Sequence, residues 1–222
     1  NAGFDLQGGD TGPFSSLVGF QRDPLTLLTT AGLILIGGLG FFVWEDVLNN
    51  RSWKKLTLYS RLVLTLTAAL TLGGAVFFLG AEGSNPATLG PMGVGERCLN
   101  ALFQSVTLRT AGFNVIDQGA MTDNSVVLSC ILMLIGGSSG STAGGIKTVT
   151  LWALAMVVIT GLRGRESIVF RGRTLPARRA MNAVTLFLMV TFLFVAGSML
   201  ISLTHEVTFL QAAFETASAL GT

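Results

Sequence analysis

The stretch "GGSSGSTAGGIKT", Gly136 to Thr148, constrains this chain more than any other, because of what stands on either side of it. Apolar "SVVLSCILMLI" precedes it and apolar "VTLWALAMVVIT" follows it. As a helix, each flank reaches across only about half of a hydrocarbon core roughly 30 Å thick. Each interior glycine costs a helix about 1 kcal/mol relative to alanine, so one continuous helix through the stretch is disfavoured. Two soluble helices joined by a loop would be the alternative, and composition removes it. Of the 222 residues 50% are apolar and only 12% are charged, against about 25% charged in ordinary soluble domains. The pattern predicts one membrane span interrupted near its middle.

Uninterrupted apolar runs of the length a span needs cover Pro24 to Trp44, Leu56 to Leu79 and Ala180 to Leu203. Between them, Glu45 to Arg61 carries Arg51, Lys54, Lys55 and Arg61, and Gly161 to Arg179 carries Arg163, Arg165, Arg171, Arg173, Arg178 and Arg179. Lys and Arg favour the cytoplasmic side, which places both loops inside. The segments before Pro24, from Gly80 to Asp123 and after Thr204 hold mostly acidic residues and fall outside, so the alternation closes for four spans. The arginine loop reads first as a topology signal and second as a dock for a cytosolic partner. A net charge of +2 is too small for a nucleic-acid binder, and no nucleic-acid partner is expected.

The outside segments contain an internal repeat. "NAGFD" at Asn1 to Asp5 recurs as "TAGFN" at Thr110 to Asn114, each followed by a polar stretch and a span. Before the second copy, "GERCLNALFQSVTLR" has Leu99, Leu102, Phe103 and Val106 at helical spacing but is too short to cross. It reads as a half-helix dipping in from outside, and "TFLQAAFETASALGT" near the end repeats it. The unit is span, re-entrant helix, glycine loop, span. Irregular backbone at membrane depth is tolerated only where protein encloses it or it lines a watery path, and a pore meets both conditions.

Enzymatic readings of the glycine stretch are weaker. A phosphate loop needs Lys directly after its second glycine, and here Ile146 separates Gly145 from Lys147. "GSSG" at Gly137 to Gly140 matches the turn of an intramembrane serine protease, but His205 is the one histidine and stands at the outer end of a span. Cys98 and Cys130 lie in unlike contexts that suggest neither a bridge nor a metal site. The earlier "GGLG" at Gly37 to Gly40 reads as close helix packing through small residues. For Gly136 to Lys147 a broken helix is preferred, with carbonyls and hydroxyls left free to face a cavity and attract a cation.

"FQSVTLRTAGFN", "GGSSGSTAGGIKT", "NAGFD" followed by "DPL", and "FETASALGT" together resemble the pore repeats of the Trk/Ktr/HKT superfamily of potassium transporters, over essentially the whole chain. The resemblance implies an all-α membrane protein of span, pore-helix, span units with one broken helix, multi-pass in the plasma membrane. Residues 1–55 would end a second repeat, 56–162 form a third, and 163–222 hold the basic loop and the start of a fourth. It implies K+ as the transported ion, with a sodium-coupled or sodium-permeable relative as the alternative, and no enzyme activity or organic cofactor. It also implies a homodimer in membrane lipid and a cytosolic nucleotide-binding regulatory ring.

Carried onto this sequence, the resemblance assigns the K+ filter to Asn1, Ala2, Gly3, Thr110, Ala111, Gly112, Phe113, Gly221 and Thr222. Gly221 follows Gly112 at the interval by which Gly112 follows Gly3, yet Phe214 stands two residues closer to Gly221 than Phe103 does to Gly112. The fourth filter glycine is therefore expected beyond Thr222. The gate falls on Gly136, Gly137, Ser138, Ser139, Gly140, Ser141, Thr142, Ala143, Gly144, Gly145 and Lys147. Arg109 and Asn114 support the filter. A cation aimed at the ion path would repel potassium, so Arg109 is expected to point away and to pair with Glu96, Asp117 or Glu215.

Overall fold

The computed structural model describes residues 16–164, 168–170 and 173–221. Asn1, Ala2, Gly3 and Thr222 of the expected filter lie outside them.

Helix α1, Pro24–Leu39, begins where Asp23 accepts from the amides of Leu25 (3.0 Å) and Thr26 (3.4 Å) and from the Thr26 hydroxyl (2.6 Å), with Pro24 preset for the first turn. These donors, the Thr26 hydroxyl first, hold the Asp23 carboxyl below its ordinary value. The sequence reading ran this span on to Trp44. Instead the chain bends by 97° at Gly40 and continues as α2, Phe41–Asn50. Gly40 has φ +79° and ψ 157°, a conformation open in practice only to glycine.

Asp46 of α2 accepts from both the amide (2.9 Å) and the hydroxyl (2.7 Å) of Thr57, which in turn caps α3, Leu58–Glu82. A re-entrant α4, Val94–Thr107, an interrupted pair α5, Asp123–Leu134, and α6, Thr148–Leu162, then follow. A two-residue antiparallel ribbon, Val169–Phe170 with Arg173–Thr174, crosses the basic loop before the long α7, Ala177–Thr204, and α8, Phe209–Gly221. Among the described residues α3 and α7 are long and apolar enough to cross a membrane, and the bent α1–α2 pair passes the same test together. Val76, Phe192 and Leu203 on these long helices are exposed, as lipid-facing side chains are.

The core gathers around α4, which packs against α1 and α3, while α8 packs against α5 and α7. Phe78, Phe103, Val106, Leu89 and Ile116 are buried there. So are several hydrogen-bonded polar groups. Ser105 donates to Thr71 O at 2.8 Å beside Gly74, Asn100 donates to Gln21 O at 2.9 Å, and Gln104 and Gln118 exchange side-chain bonds at 2.8 and 3.1 Å. At the outer end of α3, fully buried Glu82 accepts from Asn85 (2.7 Å), Thr88 (2.6 Å), and the amide (2.9 Å) and hydroxyl (2.7 Å) of Thr122. A carboxylate taken out of water is tolerated because its lone pairs are filled.

Candidate functional site

Two backbone constructions lie where the sequence put them. The first wraps over the C-terminal end of α4. Thr110 (φ +68°) and Gly112 (φ +85°) both take the left-handed region, and Ala111 N donates to Thr107 O at 2.9 Å. The buried Thr107 hydroxyl closes the turn, donating to Phe113 O (2.8 Å) and accepting from Phe113 N (2.9 Å). Asn114 joins this loop to the segment before α1, its amide donating to Ser16 Oγ at 3.1 Å and its carbonyl accepting from Leu17 N at 2.9 Å.

Thr110, Gly112, Phe113 and Asn114 line a cleft of about 290 Å³, opposite Phe214 and Glu215 of α8. Ala111 is buried behind it. Gly221 also lines the cleft, but as the last residue of helix α8, where an added side chain would meet Met133 O. Its place on the filter loop is thus corrected: it is helical, as the shorter spacing from Phe214 foreshadowed.

The second construction is the interruption itself. Ile135 and Ile146 form an isolated parallel bridge, with Gly136 N donating to Ile146 O at 2.9 Å and Ile146 N to Leu134 O at 2.8 Å. Gly136 passes so near Gly144 O that no side chain fits, and Gly145 (φ +64°) turns the chain back. Beyond this neck the loop lies on the bend of the first span. Ser138 N donates to Gly38 O at 3.0 Å, Thr142 donates to Gly37 O from both its amide and its hydroxyl at 3.3 Å, and Ser138 Oγ donates to Leu39 O. Phe41 N returns a bond to Gly140 O at 3.3 Å, Tyr59 donates to Ser139 O at 3.3 Å, and Lys147 Nζ donates to Ala143 O.

The expectation of free carbonyls and hydroxyls here is corrected. Many of the groups opened by one helix break are satisfied by those opened by the other, so the loop is latched onto the bend. "GGLG" is accordingly both a small-residue contact and a bend. Sequence reasoning missed its role as a receptor, along with Thr107, Tyr59 and the position of Glu215 on the cleft. A glycine pair just ahead of a helix restart was the available signal.

Arg109 also differs from expectation. Its side chain is buried, 6% exposed, and points away from the cleft, but its guanidinium donates to Gly136 O at 3.2 Å rather than to Glu96, Asp117 or Glu215. Glu96 pairs instead with Arg22 at 3.6 Å. No group of three or more His, Cys, Asp and Glu suited to a metal occurs among the described residues, and Cys98 and Cys130 are free thiols.

Re-entrant helix, left-handed loop and mid-span latch define a helical membrane protein built on interrupted spans. The model of the TrkH family, described as cation transport protein, matches residues 1–222, and the chain belongs to that family. The family is one of transporters, which sets the protease reading aside. The chain is 40% identical over 226 residues to the potassium/sodium uptake protein NtpJ of Enterococcus hirae, covering 100% of this chain and 49% of that protein. It is 37% identical over 223 residues to the Ktr system potassium uptake protein B of Bacillus subtilis, covering 100% and 48%. It thus spans about half the length of these relatives. The crystal structure of the potassium transporter TrkH from Vibrio parahaemolyticus shares the fold, with TM-score 0.71 and 22% identity over 93% of this chain and 45% of that one.

Proposed function

We propose that this chain supplies part of a potassium pathway: the third pore repeat, with portions of its neighbours, in a multi-pass membrane transporter. The observation that carries the reading is the Thr110 to Phe113 backbone, wound left-handed over the end of α4 and facing a cleft enclosed by α4, α5 and α8. Carbonyls presented by such a loop replace the hydration shell of a weakly hydrated cation, and the carbonyl end of the pore helix adds a favourable partial charge. Gly3 would contribute the corresponding loop of the preceding repeat. The latched stretch Gly136 to Lys147 is the gate, held shut by bonds that a shift of α1 or α2 would break. Homodimerisation and a cytosolic nucleotide-binding ring acting on that gate belong to the same proposal.

Gly112→Ser in the complete transporter tests the filter. The substitution places a side chain at φ +85° and crowds the carbonyls around it, so competition uptake in vesicles should show a lower potassium-to-sodium ratio. An unchanged ratio would remove Gly112 from the filter. Sodium permeation is the second reading, favoured by the name of the Enterococcus relative, and the same competition measures it on the unsubstituted protein.

A further inference from the structure

We propose that Arg109 is a positioning residue that couples the filter to the gate, through its guanidinium bond to the first residue of the interruption, Gly136. The proposal rests on the reading of those two segments as filter and gate. Three observations carry it.

Arg109 belongs by its backbone to the filter turn. Its amide donates to Val106 O at 3.1 Å and left-handed Thr110 follows directly, so the side chain springs from the turn itself, and its burial leaves it few other rotamers. Second, its guanidinium reaches the neck of the loop. Gly136 N is held by Ile146 O at 2.9 Å and Thr148 N donates to Gly137 O at 3.0 Å, so Gly136 is fixed to both halves of the broken span.

Third, the guanidinium has few alternatives. It is buried, and among the described residues its Nε has no partner and no carboxylate pairs with it. The cavity beside it, lined by Ile34, Leu35, Gly38, Thr67 and Gly137, is about 10 Å³, room for roughly one water. A buried cation with so little compensation is costly, and losing its carbonyl would raise the cost. Moving the neck of the loop therefore forces Arg109 to move, and Arg109 carries the filter backbone with it. Conversely, an ion that reshapes the filter changes how well the guanidinium meets Gly136 O. Linkage makes the coupling equal in both directions.

The test reads the gate while the ion in the filter is changed. In the complete transporter carrying Cys98→Ser, exposed Ser139→Cys is labelled by a thiol reagent supplied on the cytoplasmic side of vesicles, in potassium and then in sodium. Cys130 is buried and stays silent. With Arg109 present, the two labelling rates should differ by roughly fivefold or more, the lower range of measured couplings between sites. Arg109→Gln should bring them together, and Arg109→Lys, which keeps a charge and a donor, should retain part of the difference even where the glutamine variant assembles poorly. Equal rates in the two ions with Arg109 in place, or a difference undiminished in both variants, would overturn the coupling. Failure of the filter reading shows separately, as an unchanged ion ratio for Gly112→Ser in the same vesicles.

Discussion

Gly40→Ala should unlatch the gate, and the size of the effect follows from the contacts at the bend. A Cβ at Gly40 would stand 2.7 Å from Ser138 Oγ and 2.8 Å from Ser139 O, well inside contact distance. The strain of an alanine at φ +79° is carried whether the loop is docked or lifted, and cancels to first order. The collision exists only in the docked state. Relieving it costs the bond from Phe41 N to Gly140 O and the bond from Ser138 Oγ to Leu39 O. At about 1 kcal/mol each, these come to about 2 kcal/mol, or roughly a thirtyfold shift toward the lifted loop. Tracer flux into vesicles containing the complete protein, with and without the proposed cytosolic partner, measures this. Flux should rise, dependence on that partner should weaken, and the potassium-to-sodium ratio should hold, because the collision lifts the loop at Ser138 to Gly140 and leaves the Gly136 neck on Arg109. Unchanged or reduced flux from well-folded protein with an intact ion ratio would refute the latch.

Thr107→Val removes the hydroxyl that both donates to and accepts from Phe113 and leaves two half-buried backbone groups without it; a loss of about 1–3 kcal/mol in a thermal unfolding assay is expected, with reduced ion selectivity. Thr107→Ser keeps the hydroxyl and should spare both. At Asp23 the folded state lowers the carboxyl pKa below 3.8, so the carboxylate's contribution is present above that value and is lost as pH falls through it toward the lower folded value. Asp23→Asn, which still caps α1, should flatten the acid side of the unfolding-temperature profile, and a profile identical to that of the unsubstituted protein would dismiss the link.

Much of this arrangement was legible because the membrane leaves few options for exposed backbone. The interruption at Gly136 to Lys147, the half-helix at "GERCLNALFQSVTLR" and the loop at "TAGFN" each broke the pattern of a simple span, and the structure has a break, a short helix and a left-handed turn at those places. The bend at Gly40 was not legible, since "FFVW" continues the apolar run and hydropathy carries no record of direction. The partner of Arg109 was missed for a related reason. Charge complementarity searches for carboxylates, whereas a broken helix supplies carbonyls that no residue type announces. Gly221 shows the limit of repeat arithmetic: an interval matching that between the two earlier glycines falls on a helix when the intervening segment differs in length.

Glu82 bears on how such a chain is assembled. Its carboxylate holds Asn85 and Thr88 just after α3 and Thr122 just before α5, so residues 83–122 form a loop tied off at its base by one side chain. Helix α4 and the Thr110 to Phe113 turn both lie within that tie. Once α3 and α5 are threaded through the bilayer, the loop-closure entropy of the re-entrant segment is met locally, before other repeats arrive. A segment tied in this way should reach assembly with α4 already folded, so that joining it to its neighbours becomes the docking of a finished part.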